Sequence, residues 1–192
     1  MTHEFTVLST VEHFKGRMFD VVTDQVTMPG GGVAARDYMR HVGAVGVVAL
    51  DEEGRVLLLR QYRHPVATVL WELPAGLIDV PGEPLVDAAA RELAEEADLT
   101  AERYDLLVDL HPSPGCSDER IRLYLARGLS AVPEADLHVR RDEEAGLTTH
   151  WVDLDEACAM ALSGEITNGA CLAGVLAAAR ARDLDWKPLR AV

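Results

Sequence analysis

The sequence predicts a mixed α/β (α+β) fold in two parts, an N-terminal β meander over 1–41 and one larger domain over 42–192. Three observations carry that expectation. Strand-like apolar segments crowd the stretch after residue 42, one amphipathic helical stripe runs from Val86 to Ala97, and strand and helix signals alternate from there onward.

Taken in order, the meander shows Phe19, Val21 and Thr23 alternating, then Val26 and Met28, then a Pro29-Gly30-Gly31-Gly32 turn before Val33. A piece this short buries no core alone, so it must pack on the rest of the chain or on a second copy. The segments VGAVGVVAL, RVLLLRQY and TVLWELPAG read as core strands, the first two separated by the turn Asp51-Glu52-Glu53-Gly54. A Gly- and Pro-rich loop, GLIDVPGEP, leads into VDAAARELAEEADL, where Val86, Ala89, Ala90, Leu93 and Ala97 share one helical stripe. Further strands are expected over 104–110, 121–126 and 147–152. A helix starts at Leu154 with Asp153 as N-cap and Glu156 completing a capping box, and another runs from Asn168 to about Arg182.

Of 192 residues, 48% are hydrophobic and 26% charged, which is globular usage. The balance of 18 Lys+Arg against 32 Asp+Glu gives a net charge of −14, which argues against nucleic acid or an anionic membrane as partner. Only Lys15 and Lys187 are lysines, so an anion gripped in mid-chain must be met by Arg, backbone N–H or metal. Cys116, Cys158 and Cys171 form no C-x-x-C pair, and no apolar run is long enough to span a bilayer. With a start, MTHEFTVLST, that lacks signal-peptide character, the expectation is a cytoplasmic protein.

On the helix, Glu92, Glu95 and Glu96 fall within an arc of about 100°, away from the apolar stripe. Like charges one turn apart repel by a few tenths of a kcal/mol per pair, roughly. Taken alone, such a cluster reads as a solvated helix face. A strand, a Gly-rich loop and another acid, Glu83, precede it, and oxygen-only carboxylate sets suit Mg²⁺ or Mn²⁺ completed by water and substrate phosphate. Such ions let an anionic protein handle an anionic phosphate.

GLIDVPGEPLVDAAARELAEEADL resembles the Nudix box, G-x5-E-x7-R-E-U-x-E-E-x-G-U with U aliphatic. Glu83, Arg91, Glu92, Leu93, Glu95, Glu96 and Leu99 match at the required mutual spacing. Two departures stand out: six residues rather than five separate Gly76 from Glu83, and Asp98 occupies the late glycine position, where positive φ is often needed. The segments RHVGAVGVVAL, QYRHP, LWELPAG and SPGCSDE, with Pro114 fifteen residues past Leu99, extend the resemblance towards the ADP-ribose pyrophosphatases.

That resemblance implies an α/β/α sandwich around a mixed sheet, with an N-terminal β region used in dimerisation. It implies hydrolysis of ADP-ribose to AMP and ribose 5-phosphate with two or more Mg²⁺ (or Mn²⁺) ions. The metals would be held by Glu92 and Glu96, with Glu95 assisting and the carbonyl of Ala75 completing the shell, while Arg91 orients the carboxylates and Glu83 supports the loop. Arg63, and as a second candidate Arg40, would meet the diphosphate, with Glu72, Gly115 and Glu119 as further substrate contacts. The base for the attacking water would come from RRDEEAGLTTHW, Glu143 being first choice and Glu144 second.

Other candidates are weaker. The histidines His41, His64, His111, His138 and His150 lack ligand spacing, Ser117 lacks a nucleophile elbow, and Cys116 has no assignable activating base. Trp71, Phe14 and Phe19 are aromatics available to stack on adenine, with the core as their default place. Two rival functions keep the scaffold: hydrolysis of another nucleoside diphosphate sugar, and a ligand-sensing module without catalysis.

Overall fold

The computed structural model describes residues 4–140 and 145–192. The chain divides into two compact units, described separately: Met1–Gly43 with His111–Arg120, and Ala44–Leu110 with Ile121–Val192.

In the first unit, β1 (Val7–Lys15), β2 (Phe19–Thr27) and β3 (Val33–His41) form an antiparallel sheet with β2 central. Val22 and Asp24 of β2 are buried, and Asp24 accepts hydrogen bonds from the hydroxyls of Thr10 (2.6 Å) and Tyr38 (3.1 Å) on its neighbours. A buried carboxylate met from both sides in this way is satisfied, as an acid inside a thin sheet must be. Every residue of β1 is exposed, including Val7, Leu8, Val11 and Phe14. Phe14 and Phe19 pair with each other, ring centroids 6.2 Å apart, and both are exposed, so the core placement expected for them fails. The segment 111–120 joins this unit through Met39 N–H to the Cys116 carbonyl and Asp118 Oδ1 accepting from His41 N–H.

The second unit is built on a five-stranded mixed sheet in the order β11-β8-β9-β4-β7. Here β4 is Ala44–Ala49, β7 is Ala75–Leu77, β8 is Leu99–Leu110, β9 is Ile121–Ala131 and β11 is Arg190–Ala191. β4 runs parallel to β9 and antiparallel to β7. A second sheet, all antiparallel, orders β10 (Thr148–Asp153), β5 (Arg55–Arg63) and β6 (Thr68–Glu72). Helices α1 (Leu85–Ala97), α2 (Leu154–Ser163) and α3 (Gly169–Asp183) complete it.

The period of two along a strand sorts this unit's apolar residues into two cores. Val45, Val47 and Ala49 of β4 join Leu57, Leu59, Tyr124 and Ala126 and receive Ala88, Ala89, Leu93 and Ala97 of α1. Their strand neighbours Val48, Val56, Leu58, Leu123 and Leu125 turn the other way and receive Leu154, Ala157 and Ala161 of α2 and Cys171, Val175 and Ala178 of α3. Each strand is thereby buried on both faces, which is why β4 shows no polar alternation. Gly46 and Gly174 permit the close approach: a Cβ on Gly46 would fall 2.8 Å from Leu123 Cδ2, and one on Gly174 would fall 2.7 Å from Leu73 Cδ1.

The N-cap read from sequence at Asp153 forms, and the structure adds one at Asn168. Asp153 Oδ1 accepts from the N–H groups of Asp155 (2.8 Å) and Glu156 (3.3 Å), and Asn168 Oδ1 accepts from Cys171 N–H at 3.0 Å. The expected strand TVLWELPAG is two strands, β6 and β7, because Pro74 between them has no N–H to continue a ladder. The strand expected to begin at Tyr104 already begins at Leu99, directly after the helix end at Asp98. Among the described residues, no helix is long and apolar enough to cross a membrane.

Candidate active site

The acids of the helical box meet the backbone of β7 inside the second unit. Val47 N–H donates to the Pro74 carbonyl at 2.8 Å, and β4 pairs Gly46 with Ala75 and Val45 with Gly76, so the turn into β7 is held against the central strand. The core side of α1 is anchored by Leu93, fully buried, whose removal from water stabilises by roughly 1.5–3 kcal/mol. Glu92 and Glu96, on either side of it in sequence, are thereby carried to the Ala75–Gly76 backbone.

Each of the two meets that backbone differently. Glu96, 6% exposed, accepts a hydrogen bond from Ala75 N–H at 2.8 Å. Its burial removes it from the solvated face that the charge pattern alone suggests. Glu92 rests on Gly76: a Cβ there would fall 2.0 Å from Glu92 Cδ and within 2.3 Å of both carboxylate oxygens. A side chain at this position would take the carboxylate's place, so the end of Glu92 would have to move away from the backbone.

Arg91 gathers the remaining charge. Its Nη1 donates to Glu92 Oε1 at 2.6 Å and to Glu95 Oε2 at 3.3 Å, while Nε and Nη2 donate to the two oxygens of Glu83, each at 3.2 Å. Three carboxylates thus share one guanidinium whose planar fork suits paired acceptors. The hydrogen bonds to Glu83 and the adjoining negative charges push the Arg91 pKa up, so it is always charged. Burial pushes the Glu92 carboxyl up from its ordinary value, more than Arg91 beside it pulls it down. Folding therefore favours the neutral form of Glu92. The ionised form weighs against stability above that raised pKa, and the burden disappears as pH falls below it.

Arg63, at the end of β5, donates through Nε to both oxygens of Glu72 (2.9 and 3.1 Å) and through Nη2 to Oε2. Glu72 is buried and Arg63 half exposed, so two proposed substrate contacts form one ion pair. Arg40, Gly115 and Glu119 belong to the other unit. Arg40 is engaged there by Asp20 (2.7 Å) and Glu12 (3.1 Å), and Glu119 Oε1 lies 4.0 Å from His41 Nδ1. Trp71 carries the Arg60 guanidinium over its ring at 4.7 Å and the His150 ring edge-on at 5.2 Å, while its indole N–H donates to Glu165. Glu143 and Glu144 lie outside the described residues.

Sequence reasoning missed one participant. Arg140, first residue of the RRDEE run, donates through Nε to the Glu95 carbonyl (3.0 Å) and through Nη2 to Asp98 Oδ2 (2.6 Å). The available signal was Asp98 itself, which stands at φ 55°, ψ 34°, a left-handed conformation that favours glycine.

Among the described residues, no three His, Cys, Asp or Glu side chains already converge as a metal cage. The donor set is an open one: Glu92 and Glu96 one turn apart, with Glu95 alongside. Hard oxygen donors of this kind fit Mg²⁺ or Mn²⁺, which retain waters and take further oxygens from substrate. Replacing Gly76→Ala is expected to unseat the Glu92 carboxylate and weaken Mg²⁺ or Mn²⁺ binding by about 10- to 100-fold. The thermal midpoint should change little, because only the end of a side chain must move; calorimetric titration and thermal unfolding measure both, and unchanged metal affinity would show that the seat on Gly76 is not needed.

The model of the NUDIX domain matches residues 40–172. The chain is 47% identical over 175 residues to an ADP-ribose pyrophosphatase of Mycobacterium tuberculosis, covering 91% of this chain and 83% of that protein. It is 36% identical over 154 residues to the methanol dehydrogenase activator of Bacillus methanolicus, covering 80% and 81%. A crystal structure of an ADP compounds hydrolase superposes with a TM-score of 0.80 at 19% identity, over 96% of this chain and 97% of that one, which shows a shared fold. On the domain match and the extent of these identities, the chain belongs to the NUDIX domain family.

Proposed function

We propose that the protein is a divalent-metal-dependent pyrophosphatase that hydrolyses ADP-ribose to AMP and ribose 5-phosphate. The observation that carries the reading is the complete box of acids, seated on Ala75 and Gly76 and organised by Arg91, in a chain 47% identical to an ADP-ribose pyrophosphatase. Mg²⁺ is the proposed ion and Mn²⁺ an alternative, held by Glu92 and Glu96 with Glu95 assisting. When bound, two or more such ions neutralise the diphosphate and lower the pKa of a coordinated water.

The chain's own residues do the rest. Arg91 lies between the acids and donates to both Glu92 and Glu95, which offsets their mutual repulsion on one helix face. Ala75 N–H holds Glu96 at a fixed angle, which limits its reorganisation when substrate arrives. Arg63, partly exposed beside Glu72, presents a cation for the diphosphate. Glu143, or in its place Glu144, takes the proton of the attacking water. The water oxygen bonds to one phosphorus, the bridging oxygen leaves with the other phosphate, and two monophosphates result.

The exposed apolar residues of β1 support a second proposal, that two copies of the chain pair through the N-terminal sheet over 1–41. Three free cysteines fit a reducing, cytoplasmic setting.

Incubation with ADP-ribose and Mg²⁺ is expected to release AMP, and an excess of EDTA should abolish the release. Tight binding of ADP-ribose with no turnover under either condition would instead favour the ligand-sensing rival, and faster cleavage of another nucleoside diphosphate sugar would reassign the substrate. Glu143→Gln is expected to lower kcat by about 10² to 10⁴ with metal affinity retained; a normal kcat, with the loss appearing in Glu144→Gln, would move the base by one residue. Sedimentation equilibrium should give twice the monomer mass for the wild type and the monomer mass for Phe14→Asp; a wild type that is monomeric at every concentration would remove the dimer.

A further inference from the structure

Two arginines of β5 lie on opposite faces of the second sheet. Arg60 shares one face with its ladder partner Trp71, where the guanidinium covers the indole at 4.7 Å. Leu59, Gln61 and Arg63 share the other face, paired with Glu72, Leu70 and Thr68 of β6. Leu59 packs in the core that receives α1, so this is the side of the sheet turned to the helix that bears the acids.

Arg63 stands opposite Thr68 at the hairpin end, four residues from Glu72 on β6. Its guanidinium nevertheless meets Glu72. Nε donates to Oε1 at 2.9 Å and to Oε2 at 3.1 Å, and Nη2 donates to Oε2. The side chain is therefore laid back along the sheet, away from the hairpin end. Glu72 is 3% exposed, and a carboxylate so deeply buried is costly even when paired. Replacing such a pair by apolar residues of similar volume is often neutral or stabilising, so stability does not explain an acid at 72. What the pair supplies is geometry, because both carboxylate oxygens engage one planar fork and fix its direction.

We infer that Glu72 is a positioning residue for the hydrolysis, which acts through Arg63 by holding its guanidinium where a substrate phosphate is to be met. The chain runs from Glu72 through Leu73 and Pro74 into Ala75, whose N–H holds Glu96, and the Pro74 carbonyl is fixed on Val47 N–H. Successive Cα atoms are about 3.8 Å apart, so Glu72 lies within about 11 Å of Ala75. The anchor of the cation and the seat of the metal-binding acids thus belong to one short, fixed stretch of backbone. The inference rests on the proposed function, in which Arg63 meets the diphosphate, and it gives Glu72 a part other than direct contact with substrate.

The test uses full-length protein, ADP-ribose and saturating Mg²⁺. Glu72→Gln keeps the size of the side chain and removes its charge. A contact made equally in the ground and transition states appears in KM, so KM is expected to rise about 10- to 100-fold with kcat within about threefold. The thermal midpoint should change little, because Arg63, with 44% of its side chain exposed, can turn to water. Arg63→Met should show the same rise in KM. The double variant Glu72→Gln/Arg63→Met should bind no more weakly than either single one, because both remove one interaction. Glu72→Asp, which keeps a carboxylate for the fork, should fall between wild type and Glu72→Gln. A merely structural Glu72 would lower the thermal midpoint and leave KM in place. If wild type releases AMP while Glu72→Gln retains its KM, or if the two increases in KM multiply, the inference fails alone. A wild type that releases no AMP overturns the functional reading and the inference together.

Discussion

Concentrating negative charge on one helix face is the constraint around which the site is arranged. Glu92, Glu95 and Glu96 occupy barely more than one turn, and Glu83 approaches from the preceding loop. Without compensation these groups would repel, and the buried ones would take up protons and cease to be donors. Arg91 offsets this from within the cluster through four hydrogen bonds shared among Glu83, Glu92 and Glu95. Glu96 is settled by a backbone N–H. The raised carboxyl of Glu92 records what remains of the burden, a stability disadvantage retained at the place where oxygen donors are needed.

The fold supplies the rigid frame for that arrangement. A central strand buried on both faces lets α1 lie on one side and α2 with α3 on the other, so the helix that bears the acids is fixed by a complete core of its own. The same strand pairs with β7 and brings Ala75 and Gly76 to the helix. One strand therefore locates both the acids and the backbone they rest on, and a glycine at 76 is the consequence of how closely the two approach.

Arginine does the remaining electrostatic work in a chain of net charge −14. Arg63 meets Glu72, Arg122 meets Asp109, and Arg103 and Arg127 both meet the fully buried Asp105. Bidentate forks of this kind satisfy several carboxylate lone pairs at once, which a lysine does not. In the N-terminal sheet, Arg40 is likewise held by Asp20 and Glu12, which places it in that sheet's own ionic network.

Local chemistry made much of this legible in advance. Helical periodicity marked α1, a side-chain cap marked the start of α2, and the spacing of Glu83, Arg91, Glu92, Glu95 and Glu96 identified the box, because each depends on residues close together in sequence. Exposure and partnership were not legible. That Glu96 is buried, that Phe14 and Phe19 are not, that Arg63 is bound by Glu72 and that Arg140 returns to the end of α1 all depend on segments far apart in the chain. Sequence thus determined which residue types share a helix face and where the backbone must turn. Only the tertiary structure decided which neighbour desolvates or neutralises each of them, since burial and pairing are properties of the assembled core and not of any single segment.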